Sequence, residues 1–140
     1  MFRLLSALMM AITQVWNAGC QLDPSANPRA EEEWQTLREA MVRTVRQTTS
    51  LEDPALLEAL GRVPRHRFVP EEYRRYAYND TALPIGYRQT ISQPSLVALM
   101  TATLKLTGPE KVLEVGTGSG YQTALLAELA KAVHSIERIA

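Results

Sequence analysis

The run Gly116-Thr117-Gly118-Ser119-Gly120-Tyr121, fed by Val112-Leu113-Glu114-Val115, is the passage of this sequence best equipped for chemistry. Alternating glycines let a backbone turn sharply and approach a ligand closely, at positions where a Cβ would clash. The spacing is G-x-G-x-G. A dinucleotide fingerprint needs a further glycine at position 121, where this chain has Tyr121, so the ligand expected is a nucleotide cofactor of another kind. In such a unit an acidic residue about 20 positions beyond the first glycines accepts hydrogen bonds from ribose hydroxyls. Glu137 stands at that distance. Alone it reads as a solvated charge at a strand end; with the glycines, ribose binding is the better reading. A second candidate is Thr90-Ile91-Ser92-Gln93-Pro94. Ser92 or Gln93 suits an N-cap and Pro94 a first helical turn. Equally, the Ser92 hydroxyl and the amides of a helix start would orient a substrate carboxylate. Spacing alone leaves both readings open.

The elements that must position these groups are legible on either side of them. Residues 111 to 115 alternate with little polarity, as a buried parallel strand does. Residues 121 to 131 place Ala124, Leu125, Ala127, Leu129 and Ala130 among good helix formers. Ala132-Val133-His134-Ser135-Ile136-Glu137 then reads as a second strand. Strand, glycine turn, helix and strand open a Rossmann-like α/β domain over residues 108 to 140. Such a sheet needs more strands than two, and only Arg138, Ile139 and Ala140 follow Glu137. The expectation is therefore a fragment or a shortened gene product.

Residues 31 to 107 read as a helical subdomain with a substrate-side loop. Residues 31 to 46 put Trp34, Leu37, Met41, Val42 and Val45 on one stripe, with glutamates leading and arginines trailing. Asp53 caps a second helix that starts at Pro54, buries Leu56, Leu57 and Leu60, and ends before Pro64. A short helix is expected from Pro70. Residues 82 to 94 form a long connector, a place where function concentrates. They run into a helix over residues 94 to 106 with Leu96, Val97, Met100 and Leu104 inward. Cations and aromatics mingle between Arg62 and Tyr78, which would suit RNA. Lys plus Arg equal Asp plus Glu at 15 each, so no net field draws nucleic acid, and arginines lying over aromatic faces or solvated are expected instead. His66 and His134 have no metal-ligand spacing with Cys20, so both read as structural and no metal is expected.

The first 20 residues differ from the rest. Arg3 precedes a mostly apolar stretch from Leu4 to Trp16, then Asn17-Ala18-Gly19-Cys20. The stretch is too short for a membrane span and suits a secretory signal core. Ala18-Gly19 before the sole cysteine resembles a bacterial lipoprotein signal, in which Cys20 would be lipidated, although Asn17 departs from that pattern. Export to the periplasm or cell envelope is expected, with a membrane attachment only if Cys20 is lipidated. The alternative is an amphipathic or disordered extension from a misassigned start. Residues 21 to 30 read as a linker.

Val63-Pro64-Arg65-His66-Arg67-Phe68-Val69-Pro70, Ala77-Tyr78-Asn79-Asp80, Leu83-Pro84-Ile85-Gly86-Tyr87, Gln89-Thr90-Ile91-Ser92-Gln93-Pro94 and the glycine segment together resemble the protein-L-isoaspartate O-methyltransferase family. The resemblance runs from about Leu51 to the end. It implies a Rossmann-like fold that uses S-adenosylmethionine, and methyl transfer to the α-carboxylate of isoaspartyl residues in damaged proteins; G-x-G-x-G by itself resembles the first motif of methyltransferases that use that cofactor. The methyl ester then closes to a succinimide, whose hydrolysis regenerates some normal aspartate. By the same resemblance Thr90, Ile91 and Ser92 form the active-site loop, with Ser92 its active-site position. Gly116, Thr117, Gly118 and Gly120 hold the cofactor with Glu114 in support, and Glu137 binds ribose. Partners would be isoaspartyl proteins and peptides, the oligomeric state a monomer, and the usual location the cytoplasm. The family usually has glycine where Arg88 stands; an arginine there would pair with the substrate carboxylate or strain a turn that wants positive φ. A non-catalytic remnant or binding module of the same fold, and a methyltransferase for another acceptor, are the alternatives.

Overall fold

The computed structural model describes residues 28–139; the signal-like segment and Cys20 lie outside them. Helix α1 (Pro28–Thr49) starts inside the stretch expected to be a linker, because proline is well tolerated in a first turn and glutamates follow it. Met41 and Val45 are buried, and Trp34 and Val42 partly so. Leu37, expected on that stripe, is exposed, and Arg38 takes the inner position. The Arg38 guanidinium donates to the Arg62 carbonyl at 3.1 Å and to Glu31 at 3.1 Å. The stripe otherwise holds, and that polar anchor displaces only Leu37 at its edge.

Helix α2 (Pro54–Arg62) has its expected cap, with Asp53 accepting from the Leu56 amide at 3.1 Å. It buries Leu56, Ala59 and Leu60, while Leu57 stays partly exposed. Two 3-10 turns follow at Arg65–Phe68 and Glu71–Tyr76, the second supplying the helix expected after Pro70. The connector expected as a loop is instead a hairpin of β1 (Leu83–Gly86) and β2 (Gln89–Ile91), pairing Leu83 with Ile91 and Gly86 with Gln89. Its turn places Tyr87 at φ 47° and Arg88 at φ 59°. Two successive positive φ values give a turn whose twist matches that of its strands. No alternating pattern announced strands this short.

Helix α3 (Pro94–Thr103) is shorter than expected and faces differently. Pro94, Ser95, Val97, Ala98 and Thr101 are buried, whereas Leu96, Met100 and Leu104 are about half exposed, at 45%, 45% and 50%. The small residues bring its backbone close to α1 and α2. Asp80 fixes its start by accepting from the Ser95 amide at 2.8 Å.

Strands β3 (Lys111–Val115) and β4 (Ala132–Ile136) pair in parallel, joined through α4 (Tyr121–Leu129). A parallel pair requires such a crossover. Tyr121, Leu125 and Leu126 of α4 are buried, and α4 packs on α2. The expectation of a buried β3 is corrected: Leu113 and Val115 are 63% and 80% exposed, and Ile136 is 57% exposed. Among the described residues these strands pair only with each other, leaving one sheet face open. No helix of the described residues is long and apolar enough to cross a membrane.

Candidate functional site

Backbone torsion explains the glycine spacing. Gly116, Gly118 and Gly120 have φ of 94°, 55° and 83°, a region side chains other than glycine's seldom enter. Within the protein no Cβ would clash: nothing lies near one at Gly116, and one at Gly118 would sit 3.6 Å from Ile85 Cδ1. Within the protein itself, glycine is thus required here by conformation rather than by neighbouring side chains. The loop is pinned by Gly116 N–H donating to the Ile136 carbonyl at 2.7 Å and Gly120 N–H to the Thr117 carbonyl at 2.8 Å.

Polar side chains fasten this loop to the strands. The Glu114 carboxylate accepts from Ser135 Oγ at 2.5 Å and from the Thr123 hydroxyl. Ser135 Oγ also meets Thr117 Oγ1 at 2.5 Å. Glu114 therefore joins β3, β4 and α4 beneath the loop, with its other oxygen buried and unpartnered. Glu137 lies beside the loop and accepts from the amides of Gly118 at 2.9 Å, Arg138 at 2.8 Å and Ile139 at 2.9 Å. The Gly118 amide foremost, then the other two, holds its carboxyl below the ordinary carboxylate range.

The hairpin closes the site from the other side. Ile85, Gly86, Tyr87 and Gln89 line a cleft of about 150 Å³ together with Gly118, Glu137 and Ile139. An ionised carboxylate at the rim of a bare glycine backbone fits the ribose portion of a nucleoside cofactor. A larger open depression at the C-terminal end of α1, lined by Arg43, Arg46 and Glu52, holds none of these groups. Among the described residues no cluster of three potential ligands would bind a metal.

Of the substrate-side residues, Ile91 is buried, Thr90 exposed and Ser92 partly exposed. Gln93, not Ser92, holds the N-cap position with Pro94 in the first turn, as one of the expected alternatives had it, but its side chain makes no cap bond and Asp80 accepts from the Ser95 amide instead. Arg88 sits exposed at the hairpin turn with positive φ, as a turn shaped for glycine requires. Arg65 and Arg75 lie over the rings of Tyr121 and Tyr76 at 4.7 and 4.6 Å. His66 is structural: it stacks on Trp34 at 4.6 Å and its Nδ1 meets the Tyr78 hydroxyl at 2.7 Å. Spacing did not single out Asp80, Ile85 or the buried Arg65. Nothing in a Pro-Arg-His-Arg run separates an interior arginine from a solvated one.

The model of the protein-L-isoaspartate(D-aspartate) O-methyltransferase family matches residues 35–140. The chain belongs to that family. It is 54% identical over 112 residues to a protein-L-isoaspartate O-methyltransferase of Synechococcus sp., covering 80% of this chain and 46% of the relative. It is 69% identical over 84 residues to that of Dictyoglomus turgidum, covering 60% and 38% respectively. The chain thus spans about half the length, or less, of the curated relatives it matches. A solved protein-L-isoaspartate O-methyltransferase superposes with a TM-score of 0.63 at 30% identity, over 71% of this chain and 33% of that one. A Plasmodium falciparum protein assigned to the same family, crystallised with S-adenosyl-L-homocysteine, gives 0.62 at 22% identity, over 73% of this chain and 49% of that one, and supports the fold. The fold is accordingly the Rossmann-like one of S-adenosylmethionine-dependent methyltransferases, represented here by strand, helix and strand.

Proposed function

We propose that the protein transfers the methyl group of S-adenosylmethionine to the α-carboxylate of L-isoaspartyl residues in damaged proteins. The observation that carries this reading is the packing of the hairpin on the glycine loop, with Ile85 against Gly118 and Glu137 in the shared cleft. Gly116, Thr117, Gly118 and Gly120 form the cofactor cradle over the Glu114 network. Glu137, ionised at neutral pH, accepts the ribose hydroxyls in place of the Gly118 amide. Bound there, S-adenosylmethionine supplies an activated methyl group. Thr90, Ile91 and Ser92 hold the acceptor carboxylate, with Arg88 within the same hairpin as a counter-charge. A carboxylate is ionised and nucleophilic at neutral pH, so no general base is needed. Holding the two reactants in line supplies the rate enhancement, and bringing reactants together accounts for as much as about 7–11 kcal/mol of a barrier.

Labelled S-adenosylmethionine offered to the whole protein with an isoaspartyl peptide and its aspartyl twin decides the matter. Label is expected on the isoaspartyl form alone; none, or equal label on both, sinks the reading. Action as a monomer and export through the first 20 residues belong to the same proposal, the latter resting on that segment's sequence only. An intact N-terminus in the cytosolic fraction, read by mass spectrometry, would overturn export.

A further inference from the structure

Arg65 is fully buried, at 0% exposure. Its Nε donates to the Ala77 carbonyl at 2.8 Å and its Nη2 to the Ser92 carbonyl at 2.7 Å. Its guanidinium carbon lies 4.7 Å from the centroid of the Tyr121 ring, which Phe68 meets edge-on at 5.6 Å. These partners come from three places: the end of the second 3-10 turn, the acceptor loop ahead of α3, and the first residue of α4, directly behind Gly120. One side chain therefore bridges the two loops between which methyl would pass.

Burying a charge for two carbonyls and a ring face is a poor way to gain stability. Nη1 and the Tyr121 hydroxyl are both buried and neither finds a well-aligned hydrogen-bond partner, although the two groups lie close enough to attract each other. Desolvation lowers the guanidinium pKa and raises that of the Tyr121 phenol to about 12. An apolar side chain of similar volume would fill the site without that cost, and such replacements are often neutral or stabilising. It would not hold two carbonyls at a set distance from an aromatic face. The rigid fork of a guanidinium does so; a lysine ammonium, a point donor without a fork, satisfies them less well.

We propose that Arg65 is a positioning residue for the methyl transfer proposed above, on which this inference rests: it fixes the spacing of the Thr90-Ile91-Ser92 backbone from the glycine loop. Arg65→Met and Arg65→Lys in the whole protein test it. Arg65→Met should lower kcat for the isoaspartyl peptide about 100-fold while the Kd for S-adenosylhomocysteine moves less than about 3-fold, since misplacement by about 1 Å costs that much in rate. Arg65→Lys should recover part of the loss. Amides of residues 90–93 and 117–122 should exchange hydrogen faster together in Arg65→Met. Unchanged kcat, a fall in kcat matched by a fall in cofactor affinity, or faster exchange confined to residues 64–78 would each overturn the proposal. If Arg65→Met does not fold, Arg65→Lys is judged on the same criteria, with an intermediate kcat expected. If the wild type shows no preference for the isoaspartyl peptide, the proposed function fails, and the exchange measurement alone decides whether Arg65 couples the loops.

Discussion

The helical part of the chain and the strand unit that follows it are held together by different forces. In α1, α2 and α3 the apolar side chains converge: Met41, Val45, Leu56, Leu60 and Val97 are almost wholly buried. In the β3–α4–β4 unit only α4 reaches that core, while Leu113, Val115 and Ile136 face outward. What shapes the glycine loop is a polar network of Glu114, Thr117, Thr123, Ser135 and Glu137. Burial of apolar area supplies most folding free energy, whereas a satisfied hydrogen bond adds about 1 kcal/mol net. Among the described residues apolar burial therefore lies with the helices, and the candidate site sits where a polar loop meets them.

The sharpest way to break this contrast is to remove the same side chain on each side. Leu60→Ala should cost about 2–5 kcal/mol, as deletion of a buried leucine does. Leu113→Ala should stay within about 0.5 kcal/mol, as exposed substitutions do. Urea unfolding of both variants measures the difference. Similar losses would mean that the open sheet face is covered in solution, and the division of labour would fall.

The same division decided what the sequence revealed. The β3–α4–β4 order, the glycine torsions and the place of Glu137 were readable because each depends on neighbours a few residues away or on a fixed offset. The inward face of α1 was readable except at Leu37, and that of α3 only at Val97. Leu37, Leu96, Met100 and Leu104 fit a helical stripe, yet Arg38 on α1 and the small residues Ser95, Ala98 and Thr101 on α3 set the packing. Those choices depend on partners distant in sequence, such as the Arg62 carbonyl that anchors Arg38. The hairpin was missed because three or four residues with a proline show no alternation, although Gly86 marked its turn. Family motifs singled out Ser92 as a candidate, and only tertiary structure shows Arg65 holding its carbonyl.

Acid separates the two regions more gently. Burial against Trp34 and Tyr78 lowers the His66 pKa to about 4 from 6.5; Glu31 opposes this, and Arg38, Arg67 and Arg74 reinforce it. The unfolded chain then binds more protons between those values, so the contribution of neutral His66 is complete above pH 6.5 and lost as pH falls toward 4. The loss is on the order of 2 kcal/mol. Glu137 also has a lowered pKa, so its hold on the Gly118 amide persists below the ordinary carboxyl value of 4.5 and fails only in stronger acid. In urea titrations His66→Phe should flatten the slope between pH 6.5 and 4. Protection of the Gly118 amide should stay constant down to pH 4.5. Loss of that protection already near pH 6 would tie the loop to the helical core and blur the two regions into one.

The smallest effect concerns the hairpin between them. Arg88 holds φ at 59°, a conformation that costs a residue with a Cβ roughly 1–2 kcal/mol. Arg88→Gly removes that strain but gives the unfolded chain more freedom, so the net gain should be under about 1 kcal/mol. Thermal unfolding and isoaspartyl methylation measured on the same variant separate the two roles of this side chain. If Arg88 serves as a counter-charge to the acceptor, the variant becomes slightly more stable while KM for the isoaspartyl peptide rises. If the arginine only burdens the turn, stability rises and KM stays put, which would leave Thr90, Ile91 and Ser92 to hold the carboxylate on their own.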